Sequence, residues 1–137
     1  PLVPTPQVMS AVLDAIMKVK SGLIAATVQE TDLAGHEGDV LRYASVLKQA
    51  DRGLGEMLAL MDRDDVLIVC ADHGNDPKVS IGLHTREQTP LLIYRPQKPA
   101  QALGTRDTLA DIGATICALF GVHPPQDGHP IFLNERK

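Results

Sequence analysis

Long hydrophobic runs are missing from this sequence; nothing approaches the roughly 18 to 20 consecutive apolar residues that cross a membrane. Clusters of Lys and Arg are missing too. Aromatic residues number only four (two Tyr, two Phe), and the formal net charge is −4. A nucleic-acid surface needs concentrated positive charge, so that class of partner is excluded. Cysteine is scarce: Cys70 and Cys117 form no CxxC pair and lie in apolar segments. That usage fits buried, reduced thiols in a cytosolic protein. No secretory or transit signal stands out, and the expected location is the cytoplasm. What is present is ordinary globular composition, 44% hydrophobic and 22% charged over 137 residues, enough for one core but not two. The opening "PLVPTPQ" lacks a methionine and reads like the interior of a longer protein.

Apolar pairs at Val8/Met9, Val12/Leu13 and Ile16/Met17 step by four, which predicts an amphipathic helix over 6–20. "LIAATV" (23–28) has the composition of a strand buried on both faces. Gly35 and Gly38 mark 30–38 as a loop. A long helix follows over 39–61, with Val40, Tyr43, Leu47, Ala50, Leu54 and Met57/Leu58 along its apolar side. "DDVLIVC" (64–70) and "PLLIYR" (90–95) read as two further strands. Residues 106–120 read as a helix with a stripe of Leu109, Ile112, Ile116 and Leu119/Phe120, ended by Gly121 and followed by an irregular tail. Strands alternating with amphipathic helices predict an α/β fold with a largely parallel sheet flanked by helices.

In open parallel sheets, ligands collect beyond the carboxyl ends of the strands. Three segments that follow strand ends carry Asp32 with His36, Asp72 with His73, and His84. An isolated Asp-His pair in a loop is more often a turn or a cap. Three such segments together make a ligand set for divalent ions, since imidazole suits the transition metals and carboxylate suits Mg and Mn. Asp32, His36 and His84 make a three-ligand site with room for water or substrate. Asp72 and His73 offer a second ion only two ligands. Two divalent ions carry four positive charges against the two negative charges of Asp32 and Asp72, so the second site is incomplete in this chain. Arg86, in "HTRE", either contacts phosphate or braces the loop with Glu87. Asn75 and Asp76 before Pro77 read as turn formers. Asp39 reads as the cap of the long helix rather than a partner of His36. His123 and His129 read as surface residues.

Taken together, "ADHGNDP" (71–77), "HTREQTPLLIY" (84–94), "TRDTLADIGATICALFGV" (105–122) and "DLAGHEG" (32–38) resemble the C-terminal part of the alkaline phosphatase superfamily, in its phosphopentomutase and cofactor-independent phosphoglycerate mutase branch. The resemblance implies a two-metal phosphomutase acting on a small phosphorylated metabolite. Asp32, His36 and His84 would hold one ion, and Asp72 with His73 would help hold the other. The metal would be manganese, with zinc and magnesium as the alternatives. It also implies a Ser or Thr nucleophile and a further aspartate ligand, and neither matches a position here. Ser10, Ser21, Ser45 and Ser80 lack the expected setting of a strand end opening a helix. A cap domain is likewise unmatched. The expectation is therefore a fragment of a metalloenzyme domain, inactive by itself and prone to self-association through uncovered apolar surface. "GLHTRE" and "HEGD" depart from the phosphopentomutase pattern, which keeps a related phosphatase or phosphodiesterase, or a non-catalytic module, open as alternatives.

Overall fold

Two prolines open the first helix, α1 (Thr5–Lys18), where their missing N–H groups cost nothing. Pro4 has no side chain to cap it. The cap comes from far along the chain instead: one carboxylate oxygen of Glu30 accepts from Thr5 N at 2.5 Å and from Thr5 Oγ1 at 2.7 Å. Arg42 approaches the other Glu30 oxygen at 3.8 Å. The Thr5 backbone bond, then its hydroxyl, hold the Glu30 carboxyl below its ordinary value of 4.5. A carboxyl whose folded pKa is lowered stabilises the fold above its unfolded value, and that contribution is lost as pH falls through the folded one. Glu30→Gln is therefore expected to cost about 1 kcal/mol at neutral pH and to flatten the loss of stability below pH 4.5. Urea unfolding across pH 3–7 checks this; an acid limb as steep as that of the unsubstituted chain would refute it.

The structure, a computed structural model, describes residues 2–79 and 82–132. It divides into two compact units, Pro1–Gln97 and Lys98–Lys137. In the first, α1 is followed by α2 (Glu30–Glu37), α3 (Val40–Leu60), and the strands β1 (Leu67–Cys70) and β2 (Leu91–Tyr94). Asp39 caps α3, its carboxylate accepting from Arg42 N at 2.9 Å, as its position predicts. The buried line of α3 is Val46, Gly53 and Met57, whereas Leu47 is 47% exposed, so the apolar face is rotated from the expected stripe. Gly53 explains the rotation. A Cβ there would stand 2.6 Å from Met9 Cγ, so this side of α3 lets α1 come close.

Four expectations are corrected. Residues 23–28 carry no strand, because no segment among the described residues offers them a ladder. Residues 30–37 are helical, not a loop. Gly38 ends that helix in the left-handed region (φ 69°), and Gly35 lies buried inside it. The sheet is a two-stranded antiparallel pair, with Leu67 opposite Tyr94 and Cys70 opposite Leu91. A parallel pairing needs a crossover, usually a helix. Residues 71–90 hold no helix among the described residues and instead fold back on themselves through a bridge between Gly74 and Thr85. Cys70 is exposed at the end of β1 rather than buried, and both cysteines are free.

The second unit is built on α4 (Ala110–Phe120), which Gly121 ends in the left-handed region (φ 65°). Its buried residues are Asp111, Ala114 and Thr115, while Leu109 and Phe120 of the expected stripe are exposed. The tail docks on this polar face. His129 N donates to Asp111 Oδ1 at 2.9 Å, Ile131 N to Thr115 Oγ1 at 2.9 Å, and Arg106 Nε to Asp111 Oδ2 at 2.7 Å. The His129 bond first, then Arg106, hold the Asp111 carboxyl below its ordinary range. Among the described residues, no helix is long and apolar enough to cross a membrane.

Candidate metal centre

Helix α2 places Asp32 and His36 one turn apart on the same face, so both side chains reach one point without the fold-back that a loop would need. His36 Nε2 lies 3.3 Å from Asp32 Oδ1. The other contributors come from the connection between β1 and β2. Its two arms are pinned where Thr85 N donates to Gly74 O at 2.9 Å. His73 and His84 each precede one of these bridged residues, and their rings stack with centroids 3.6 Å apart. His84 Nε2 stands 3.6 Å from Asp32 Oδ1 and 3.2 Å from His36 Nε2. His73 Nε2 stands 3.9 Å from the same Asp32 oxygen. Its other ring nitrogen faces Gly74 O at 3.3 Å. Donating Nδ1–H to that carbonyl leaves the His73 Nε2 lone pair turned toward the cluster.

These distances suit a cation. Donor atoms bound at 2.0–2.2 Å to one tetrahedral ion stand about 3.3–3.6 Å apart. One ligand atom each from Asp32, His73 and His84 falls within 4.8 Å of the others. The sequence assigns His73 to a second ion with Asp72; the structure sets it beside the first group, stacked on His84. The Asp72 side chain is 85% exposed, 3.6 Å from His73 Nε2, and stands outside that cluster of three. Arg86 is exposed.

One participant escaped the sequence reading. Asn75 is no mere turn former. Its amide Nδ2 donates to Asp32 Oδ1 at 2.7 Å and to Asp32 O at 3.0 Å, bridging from the histidine loop to α2. The available signal was Gly35, a glycine within the "DLAGHEG" spacing that a helix would not ordinarily choose. Asp76 does form the expected turn, its carboxylate accepting from Lys78 N at 2.8 Å.

Asp32 on its helix and the two loop histidines, His73 and His84, form a group that could hold a metal ion. The chain belongs to the Metalloenzyme superfamily, whose family model matches residues 1–124. It is 50% identical over 98 residues to the phosphopentomutase of Edwardsiella ictaluri (strain 93-146), covering 72% of this chain and 24% of that protein. It is 41% identical over 129 residues to the phosphopentomutase of Caldanaerobacter subterraneus subsp. tengcongensis, covering 93% and 33% respectively. With the phosphopentomutase of Vibrio cholerae serotype O1 (strain ATCC 39541) the identity is 42% over 125 residues, covering 90% and 31%. The chain thus spans a quarter to a third of the length of these relatives.

Proposed function

We propose that this chain is the metal-holding part of a phosphopentomutase-like phosphomutase, which moves a phosphoryl group between two positions of a phosphorylated sugar. The observation that carries this is the convergence of His36, His73 and His84 Nε2 atoms on a single carboxylate oxygen of Asp32, at 3.3, 3.9 and 3.6 Å. Asp32, His36 and His84 hold one divalent ion; His73 faces that same group through Asp32 Oδ1 and, 3.6 Å from Asp72, contributes with it to a second, incomplete site. Manganese suits a mixed carboxylate and imidazole set, with zinc and magnesium as alternatives. When bound, such ions lower the pKa of a nucleophile and stabilise charge on the transferring oxygens.

The residues of this chain supply ligands and orientation. Asp32 contributes the central negative charge, and the histidines contribute neutral lone pairs that leave the ion's charge available to phosphate. Arg86, exposed two residues past His84, either meets a phosphate oxygen in this reading or braces the loop with Glu87. Ser10 and Ser45 lie exposed on α1 and α3, and Ser21 is exposed beyond α1, none at a strand end opening a helix; Ser80 lies outside the described residues. We therefore expect no phosphoryl transfer from this chain by itself. Calorimetric titration with Mn²⁺ tests the reading: one tight site is expected. Heats no larger than dilution would sink the metal site, and two tight sites would overturn the incomplete second one.

A further inference from the structure

We propose that Asn75 is a positioning residue for the metal centre, aiming one oxygen of Asp32 at the histidines. This rests on the reading of Asp32 and its three histidines as ligands. The Asp32 side chain is 32% exposed, and a carboxylate so placed can rotate either oxygen inward. Here one oxygen, Oδ1, faces all three imidazoles, and that same oxygen accepts the 2.7 Å bond from Asn75 Nδ2. A carboxylate oxygen has two lone-pair directions; Asn75 occupies one and leaves the other for the cluster. The second amide hydrogen goes to Asp32 O at 3.0 Å, so the backbone of α2 is held as well as the side chain.

Two further observations show that the fold accommodates this contact at a cost. Gly35 is buried in α2, and a Cβ there would stand 2.4 Å from Asn75 Oδ1. The helix gives up a side chain, against its intrinsic propensity, where Asn75 lies against it. Asn75 Oδ1 is itself buried without a hydrogen-bond partner among the described residues. An apolar side chain would avoid that orphan acceptor, and an aspartate would set acceptor against acceptor. Among uncharged side chains, a primary amide is the one that offers two N–H groups from one atom. Asn75 also follows bridged Gly74 directly, and Asp76 N donates to Thr85 Oγ1 at 2.8 Å. The device that opposes His73 to His84 therefore also fixes Asn75.

The test uses Co²⁺ as probe on this chain. Affinity is read by calorimetry, coordination by visible absorption, and metal-free stability by thermal melting. Asn75→Asp and Gly35→Ala perturb the contact from its two sides. Each is expected to weaken Co²⁺ binding roughly 10–100-fold, the range for loss of an outer-shell partner, and to shift the cobalt bands. The double variant is expected to fall no further than the weaker single one, because both remove one interaction. Variants that melt like the unsubstituted chain and bind cobalt within twofold of it overturn the inference while leaving the metal site standing. Loss of metal-free folding in both variants makes Asn75 a packing residue and overturns it too. If the unsubstituted chain takes up no cobalt, the metal-site reading falls and the inference falls with it.

Discussion

His84→Ala is expected to lower divalent-metal affinity more than a hundredfold, beyond the roughly 10–100-fold cost of losing an outer-shell partner. His84 is the hinge of the cluster. It lies 3.6 Å from Asp32, 3.2 Å from His36 and face to face with His73. Alanine removes one donor atom and also the ring that keeps His73 in place. The side chain is 49% exposed, so little buried area is lost and metal-free melting should scarcely move. Calorimetry with Mn²⁺ and metal content after dialysis provide the measurement. Unchanged metal content would strike His84 from the ligand set.

The second large effect concerns the other unit. A Cβ on Gly128 would stand 2.3 Å from Ala110 O and 3.0 Å from Ala114 Cβ. Backbone oxygen cannot swing aside as a long side chain can, so Gly128→Ala must push the tail away from α4. That movement strains the bonds from His129 N to Asp111 and from Ile131 N to Thr115. The expected loss is about 1–3 kcal/mol from overpacking, with more if the hydrogen bonds break. By contrast, Gly121→Ala meets nothing within 4 Å and carries only the strain of a positive φ, which makes it the control. Chemical denaturation of both variants checks the contrast; equal losses would show that crowding against Ala110 is not the cause.

The residue types that meet at Asp32 were legible in the sequence because metal chemistry is selective about donors, and "DLAGHEG" with "ADHG" and "HT" supplies them. The carrier of Asp32 and His36 was not. Two glycines in nine residues say loop, and only the distant Asn75 reveals why Gly35 belongs in a helix. Strand direction was misread for a similar reason. Composition shows that "VLIVC" and "LLIY" are strands, but their relative direction depends on what connects them, and here the connection is a folded-back loop instead of a helix. The cap of α1 was beyond local reading altogether, since Glu30 lies 25 residues from Thr5. The end of α4, by contrast, was well marked: Gly121 adopts the left-handed conformation its chemistry favours, whereas Gly38 does the same at the end of a helix that the sequence reads as a loop.

The pairing of Cys70 with Leu91 and of Gly74 with Thr85 acts as a ruler for the ligand loop. Side chains alternate faces along paired backbone, so a slip of one residue in that alignment would turn one imidazole away from its neighbour. Substitutions in the modest strands Leu67–Cys70 and Leu91–Tyr94, which touch no ion themselves, can therefore detune the grip on a cation by shifting the count between them.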